Sequence, residues 1–182
     1  MTDRELVYQC GKGDAEAQRI LYDLYKYRLM GICRRYTSGR EEAQDVLQEV
    51  FIKIFTKINQ LDNVEKLENW LIKITVNTAV NYYHHAKRLR FDSLEEIQAE
   101  SGDYELILSN VSDEFLLGLI NALPDGCRVV FNLYIVEGYS HAEIAEMLNI
   151  SESTSRSQLV YAKNILKDKL SKAGVLRYEK YA

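Results

Sequence analysis

Hydrophobic residues recur at steps of three and four along most of the chain, which is the spacing of amphipathic α-helices. The clearest example is an apolar stripe that lies opposite charged and amide side chains and consists of Ala43, Val46, Leu47, Val50, Phe51, Ile54, Phe55 and Ile58. Similar stripes predict three more helices, from about Asp3 to before Gly11, from about Asp14 onward, and from about Val64 to Arg88. We therefore expect a helical bundle in the first half of the chain.

The second half contains a pattern of two short helices separated by a turn of about three residues. Ser140 and Glu143 have the spacing of a capping box, in which each side chain bonds a free backbone N–H group. Asn149 suits the left-handed position that ends a helix, and Ser151 can cap the helix that follows. The small Ala145 lies where the two helices must cross closely. These features predict a helix-turn-helix; a hairpin that serves only packing or dimerisation is the alternative.

Proline occurs once in 182 residues. Because proline interrupts helices and is a common turn residue in β-rich folds, its rarity favours an all-α fold. Pro124 is expected to open a helix at the position where its missing N–H is harmless, and Gly138 to end it. The inner side of that helix is predicted to hold Cys127, Val130, Phe131 and Tyr134.

Charge is distributed unevenly along the chain, whose net charge is −4. Residues 1–91 carry 15 basic and 12 acidic side chains, residues 92–127 carry none and 9, and residues 128–182 carry 8 and 6. The acidic middle has no sustained helical period and contains Ser and Gly, so it predicts a flexible linker between two helical units. The alternative is a solvated acidic loop within one domain.

The helix predicted over residues 64–88 combines polar, aromatic and cationic side chains on one face. At 100° per residue, these side chains fall within about 80° of one another: Lys66, Trp70, Lys73, Asn77, Asn81, His84 and Arg88. The neighbouring stripe that can face the core holds Leu67, Leu71, Ile74, Thr78 and Tyr82. Amides can read base edges, a tryptophan can stack on bases, and the cations His85, Lys87, Arg88 and Arg90 can hold phosphates. This mixture suits melted DNA; a solvated face with a partly buried Trp70 is the alternative.

The second helix of the predicted helix-turn-helix has an outer side suited to the major groove. Away from its core stripe it presents Ser153, Arg156, Ser157, Val160, Tyr161 and Asn164, with Gln158 at the margin and Lys163 and Lys167 nearby. Arginine pairs naturally with guanine, and glutamine with adenine. His141 is expected to be a surface residue in the first turn of the preceding helix and is a candidate phosphate contact.

Several other classes of protein are disfavoured by the sequence. Cys10, Cys33 and Cys127 are odd in number and form no CxxC pair, so we expect buried thiols rather than disulfides or zinc ligands. His84 and His85 point about 100° apart on a helix, which argues against a shared metal. No apolar run approaches the roughly 20 residues that span a bilayer, and no secretory leader is evident, so a soluble cytoplasmic chain is expected.

Five motifs together resemble the extracytoplasmic-function (ECF) sigma factors of the sigma-70 family. They are DVLQEVFIKIF at 45–55, WLIKITVNTAVNY at 70–82, LP at 123–124, GYSHAEIAEML at 138–148 and SESTSRSQ at 151–158. They follow the order and spacing of the family over nearly the whole chain. The resemblance implies two all-α domains, a region 2 helical bundle at 1–91 and a region 4 helix-turn-helix at 112–182, joined by a flexible acidic linker at 92–111.

The resemblance also implies a function, which is to direct core RNA polymerase to promoters and help melt them, without catalysis, cofactor or metal. The partners implied are the β′ clamp and β flap of core polymerase, promoter DNA and an anti-sigma factor. Membrane insertion is not expected, and the free chain is expected to be monomeric. A DNA-binding regulator independent of polymerase and a metal-dependent enzyme are the alternative classes.

The family's functional residues map onto three sets in this sequence. The set that would bind core polymerase consists of Asp45, Gln48, Glu49, Phe51 and Lys53. The set that would contact minus-10 DNA consists of Trp70, Asn77, Asn81, Tyr82, His84, His85, Lys87, Arg88 and Arg90. The set that would contact minus-35 DNA consists of Ser151, Ser153, Thr154, Arg156, Ser157, Gln158, Tyr161 and Lys163.

The sequence departs from the family pattern at a few of these positions. Ser155 stands where many relatives have valine, which is expected to loosen local packing, and Tyr161 stands where arginine is frequent. His84 and His85 make the minus-10 segment unlike the commoner basic version. The promoter sequence is therefore not readable from the chain. Because the net charge is negative, we expect weak binding to DNA until core polymerase supplies affinity.

Overall fold

The computed structural model describes residues 1–92 and 113–174, with side chains up to Arg88 and from Glu114. All regular structure in these two ranges is helical, which confirms the all-α prediction. The α-helices are α1 (Asp3–Gly11), α2 (Ala15–Tyr36), α3 (Arg40–Lys57), α4 (Leu67–Asp92), α5 (Asp113–Asn121), α6 (Asp125–Phe131), α7 (His141–Leu148) and α8 (Glu152–Lys172). The chain divides into two compact units, Met1–Leu89 and Arg90–Ala182. The linker predicted at 92–111 lies outside the described residues except for Asp92.

The first helices of unit 1 begin at residues that satisfy free backbone donors. Thr2 and Glu5 form a capping box at the start of α1. The hydrogen bond from the Thr2 backbone lowers the pKa of Glu5. Asp14 caps α2 by accepting a hydrogen bond from Ala17 N at 2.8 Å. This cap confirms the start predicted near Asp14. The prediction was possible because capping depends only on residues close to each other in the sequence.

The core of unit 1 is built on the apolar stripe of α3, which packs against α2. Ala43, Val50 and Ile54 are completely buried, as the periodicity predicts. Burial raises the pKa of the neighbouring Cys33 thiol to about 12, so this cysteine remains protonated and inert. The other two cysteines are also buried and free, which confirms the interpretation of all three.

One close contact in unit 1 requires glycine. The side-chain amide of Asn59 donates to the carbonyl oxygen of Gly11 at 3.2 Å, which ties the end of α1 to the turn after α3. A Cβ atom at position 11 would lie 2.0 Å from Asn59 Oδ1. Any larger residue at Gly11 would therefore displace the amide that holds these two segments together.

Unit 2 begins with α5 and α6, and its core is completed by α8. Leu123, Cys127 and Ala162 form a buried cluster at this junction. Pro124 is the N-cap of α6, so the helix begins at Asp125, one residue later than predicted. Arg128 is buried, and its guanidinium donates to Asp125 Oδ1 at 2.9 Å and to a backbone carbonyl at 3.2 Å. A buried guanidinium requires such partners because an unpaired charge there would be costly.

Helix α6 does not continue as a regular α-helix to Gly138. It changes after Phe131 into a π-helical segment, Asn132–Val136. The wider turn moves Tyr134 out to the surface, where it is 36% exposed. The prediction that Tyr134 faces inward was therefore wrong, since it assumed 3.6 residues per turn throughout.

The helix-turn-helix of unit 2 has the predicted signals at its ends. Ser140 and Glu143 form a capping box at the start of α7. Asn149 ends that helix in the left-handed conformation with φ of 52°. Ser151 caps α8 by accepting a hydrogen bond from Thr154 N at 3.0 Å. These local signals fix the short turn between α7 and α8.

Two isoleucines on α3 provide a matched test of the core. Ile54 is completely buried and Ile52 is 65% exposed. We expect Ile54→Ala to lower the free energy of unfolding of unit 1 by about 2–5 kcal/mol, and Ile52→Ala by less than about 0.5 kcal/mol. Urea unfolding followed by the fluorescence of Trp70, the only tryptophan in the sequence, measures unit 1 selectively. Equal losses in the two variants would contradict the assigned orientation of α3.

Candidate nucleic-acid interface

Most side chains of the polar face predicted on α4 are exposed. Asn77 and Asn81 are exposed, while Trp70 is half-buried. The other described members of the set predicted to contact minus-10 DNA are His85, Lys87 and Arg88, which are exposed, and Tyr82 and His84, which are half-buried. The side chain of Arg90 lies outside the described residues. Because Lys66 and Lys73 are exposed as well, the face presents amides in its middle and cations on both sides of them.

The buried side of α4 is broader than the stripe inferred from the sequence. Val76, Ala79 and Val80 are buried there, and Ile74 and Tyr82 are only half-buried. Two buried threonines belong to the same side: Thr75 donates to the Leu71 carbonyl, and Thr78 donates to the Ile74 carbonyl, each at 2.8 Å. Because each hydroxyl donates to a carbonyl of its own helix, its proton is satisfied although the side chain is buried.

The outer face of α8 is exposed over its first three turns. Ser153, Thr154, Arg156, Ser157, Tyr161 and Lys163 are all exposed. The Arg156 guanidinium pairs with Glu152 Oε2 at 2.8 Å on the surface. An exposed pair of this kind contributes little stability, so the guanidinium can exchange its partner for a base or a phosphate.

Three hydroxyls at the start of α8 are engaged within the helix itself. Ser151 Oγ accepts from Thr154 N and lies 2.8 Å from Thr154 Oγ1. Ser157 Oγ donates to the Ser153 carbonyl at 3.0 Å. Their first role is to stabilise the end of the helix that carries Arg156.

Gln158 differs from its neighbours because it is half-buried. A Cβ atom at Gly126 would lie 2.9 Å from Gln158 Nε2. The amide therefore lies against the backbone of α6, where the absence of a side chain at Gly126 leaves room for it. Gln158 is placed at the margin of the outer face, as the periodicity predicts.

His141 does not lie free on the surface, contrary to the prediction from the sequence. It is half-buried, its Nδ1 lies 2.9 Å from Ser155 Oγ, and its ring stacks on Tyr134 with centroids 4.4 Å apart. Ser155 is completely buried. The sequence predicts looser packing at Ser155; in the structure its hydroxyl is occupied by this hydrogen bond, which joins residues 14 positions apart.

A third surface lies on α3, where Asp45, Gln48 and Glu49 are exposed. Lys53 pairs with Glu49 at 2.5 Å and donates to Thr78 Oγ1 on α4 at 3.4 Å. Asp45 and Glu49 therefore make this face acidic, and its lysine, Lys53, also contacts α4.

Phe51 lies in the core rather than on this acidic face. It is 5% exposed, and its ring centroid is 4.6 Å from that of Tyr22. Ile52, which is not among the residues predicted for this surface, is exposed beside Gln48 and Glu49. Ile52 could have been found from the sequence, because it is an apolar residue on the charged side of a helix whose other apolar residues form a regular stripe.

The structure gives no support to a metal site or a membrane span within its described ranges. No group of three or more His, Cys, Asp or Glu side chains is placed to hold an ion in residues 1–92 and 113–174. None of the helices in the same ranges is both long and apolar enough to cross a bilayer.

Two family profiles match the chain in the order of its two units. The profile described as Sigma-70 region 2 matches residues 21–89, and the profile described as Sigma-70, region 4 matches residues 116–166. The first match ends with the polar face of α4, and the second contains the helix-turn-helix.

Similarity to individual proteins extends over almost the full length. The chain is 29% identical to the ECF RNA polymerase sigma-E factor of Haemophilus influenzae, with 93% of this chain and 96% of that protein covered. It is 28% identical to the protein of the same name from Escherichia coli K12, with 93% and 95% covered.

Two solved structures have a similar fold. One is CnrH in complex with the cytosolic domain of CnrY, with a TM-score of 0.50, 20% identity, and 93% of this chain and 97% of that chain covered. The other is the sigma factor RpoE of Bartonella quintana in complex with the anti-sigma factor NepR, with a TM-score of 0.55, 21% identity, and 84% and 96% covered.

The left-handed residue between α7 and α8 provides a test of how the outer face is held. We expect Asn149→Ala to destabilise the turn by about 1 kcal/mol, because Ala is strained at positive φ, and Asn149→Gly to be tolerated. Asn164→Ala, at an ordinary helical position, is the matched control and should cost nothing. Amide hydrogen exchange in α7 and α8 measures the difference. Equal protection of these amides in Asn149→Ala and in the control would contradict the role assigned to the left-handed conformation of Asn149.

Proposed function

The chain belongs to the ECF group of the sigma-70 family, and from this premise we propose that it is a sigma factor that initiates transcription. It directs core RNA polymerase to promoters by reading a minus-10 and a minus-35 element, and it helps to melt the duplex. The observation that carries the proposal is that the two family regions occur in order and each contains a helix with one buried apolar side and one exposed polar side.

In this proposal the polar face of α4 receives the minus-10 element as it melts. Asn77 and Asn81 are exposed donors and acceptors for base edges, and Trp70 offers part of its ring for stacking. Lys87 and Arg88 hold the phosphates that follow. A face with amides and aromatic rings suits bases that have left the helical stack, since their Watson–Crick edges are then accessible.

The outer face of α8 reads the minus-35 element in duplex form. The second helix of a helix-turn-helix enters the major groove with its N-terminal turns. Arg156 is the residue best suited to a guanine, and Gln158, at the margin of the face, is suited to an adenine. Lys163 lies farther along the helix and is proposed to contact a phosphate.

The acidic face of α3 is proposed to bind core polymerase at the β′ clamp. Asp45, Gln48 and Glu49 supply the polar contacts. Ile52 supplies an exposed apolar centre of the kind that interfaces commonly bury. Phe51 supports this surface from beneath, because its side chain is buried.

The remaining organisation and partners belong to the same proposal. Residues 1–91 act as the region 2 domain, 92–111 as an acidic linker and 112–182 as the region 4 domain, which contacts the β flap. The chain acts in the cytoplasm as a non-catalytic factor, monomeric when free. An anti-sigma factor is a further proposed partner, since the similar RpoE was solved with NepR.

Charge reversal on α3 tests the docking surface. We expect Asp45→Lys combined with Glu49→Lys to abolish binding to core polymerase, because it replaces two exposed carboxylates at the proposed interface with cations. Size-exclusion chromatography of each variant with core enzyme measures complex formation. Asp62→Lys combined with Glu65→Lys makes the same charge change at exposed positions elsewhere in unit 1 and should bind normally. Complex formation by the α3 variant would overturn the assignment of this face.

Two alanine variants test the DNA-reading faces separately from docking. Asn81→Ala and Arg156→Ala should leave core binding intact but reduce selective transcription, since a lost bidentate base contact costs about 1–3 kcal/mol, or roughly five- to 150-fold. Selectivity is the ratio of transcription from promoter fragments to transcription from non-promoter fragments, and it is measured by letting the two compete in a holoenzyme transcription assay. Lys172→Ala removes a cation near the far end of α8 and is the control. An unchanged ratio in both test variants would refute these roles.

A further inference from the structure

A serine hydroxyl is buried beneath the outer face of α8. Ser155 is completely buried and immediately precedes Arg156 in the chain. A buried hydroxyl without a partner costs about 1–3 kcal/mol, so its position is expected to be set by whatever it bonds. The nearest group that meets this need is Nδ1 of His141 on α7, at 2.9 Å from Ser155 Oγ.

The same imidazole is held on its ring face by Tyr134. Their centroids are 4.4 Å apart and their planes are inclined by 21°. Tyr134 belongs to the π-helical segment Asn132–Val136, whose wide turn brings its ring outward. The ring of His141 therefore links three successive elements, which are the π-helical segment, α7 and α8.

The surroundings of the ring favour its neutral form. Burial, and next the charge of Arg156, lower the pKa of His141, while Glu152 acts in the opposite direction. A neutral imidazole has one N–H donor and one acceptor nitrogen, so Nδ1 can either donate to Ser155 Oγ or accept from it. A neutral, stacked ring is better suited to holding the protein in place than to binding a DNA phosphate.

We propose that His141 is a positioning residue for minus-35 recognition, which fixes the rotation of α8 about its axis through Ser155 and Tyr134. This inference rests on the proposed function. Side chains that read base edges must be held to within about 0.5 Å, and the cap at Ser151 fixes only where α8 begins. The hydrogen bond to Ser155 fixes which way the first turns face, and with them Arg156.

The contact depends on the polar side chains of both residues. Ser155 supplies the hydroxyl of the pair, and an apolar side chain at that position could not form the bond. The role proposed for His141 thus depends on the pair, and changing either member should have the same consequence as changing both.

Transcription by holoenzyme tests this dependence. The template is a promoter fragment that the wild-type holoenzyme selects from a randomised pool. Ser155→Ala and His141→Ala should each reduce transcription roughly three- to tenfold, and the double variant should lose no more than His141→Ala alone. His141→Asn, which keeps a hydrogen-bonding group in the place of Nδ1, should recover part of the loss. Ser171→Ala, an exposed serine on the same helix, is the control.

A second template separates positioning from folding or docking. On a template with strands already separated at the minus-10 region and no upstream element, all these variants should match the wild type. Additive losses, a loss of equal size on this template, or full promoter activity of Ser155→Ala would each overturn the proposal.

The contact itself is measured in the free full-length chain by the ¹⁵N resonances of the imidazole rings. The sequence has three histidines, so His141→Asn assigns the signal of His141. Ser155→Ala should shift this signal and Ser171→Ala should not; an unmoved signal would overturn the inference. If the signal shifts but wild-type holoenzyme selects no promoter, the proposed function fails and the positioning role fails with it, while the hydrogen bond stands.

Discussion

Burial of the apolar sides of α4 and α8 is the constraint on which both polar faces depend. Leu71 and Ala79 are completely buried on α4, and Leu159 and Ala162 are buried on α8. Burial of the apolar side confines each of these helices to a narrow range of rotations, because each Å² of that side removed from water contributes roughly 25 cal/mol. The opposite side is thereby directed outward, and the amides of α4 and the guanidinium of α8 are exposed as a consequence.

Much of this arrangement could be predicted because its causes are local. Asp14, Ser140 and Ser151 each cap the helix that follows, and Asn149 adopts the left-handed conformation that suits its side chain. The apolar period of α3 likewise identifies its buried side. These features depend on residues within one or two turns, so a single sequence is sufficient to find them.

The features that were missed depend on contacts between distant residues or on a change of helical period. The π-helical turn that exposes Tyr134 has no signature in a pattern read at 3.6 residues per turn. The bond between His141 and Ser155 joins residues 14 positions apart, which only the packing of α7 on α8 brings together. Phe51 was assigned both to the apolar stripe and to the docking set, and its burial places it in the core.

The charge distribution fits a protein that shares the work of DNA recognition with a larger partner. The exposed carboxylates of α3 and the net charge of −4 oppose binding to a polyanion. Selection of fragments from a promoter pool, with and without core polymerase, tests the central claim most directly. The account predicts enrichment of two short elements at a fixed separation, and only when core enzyme is present. Enrichment of the same elements by the free chain at physiological salt, or of one element alone by the holoenzyme, would contradict it.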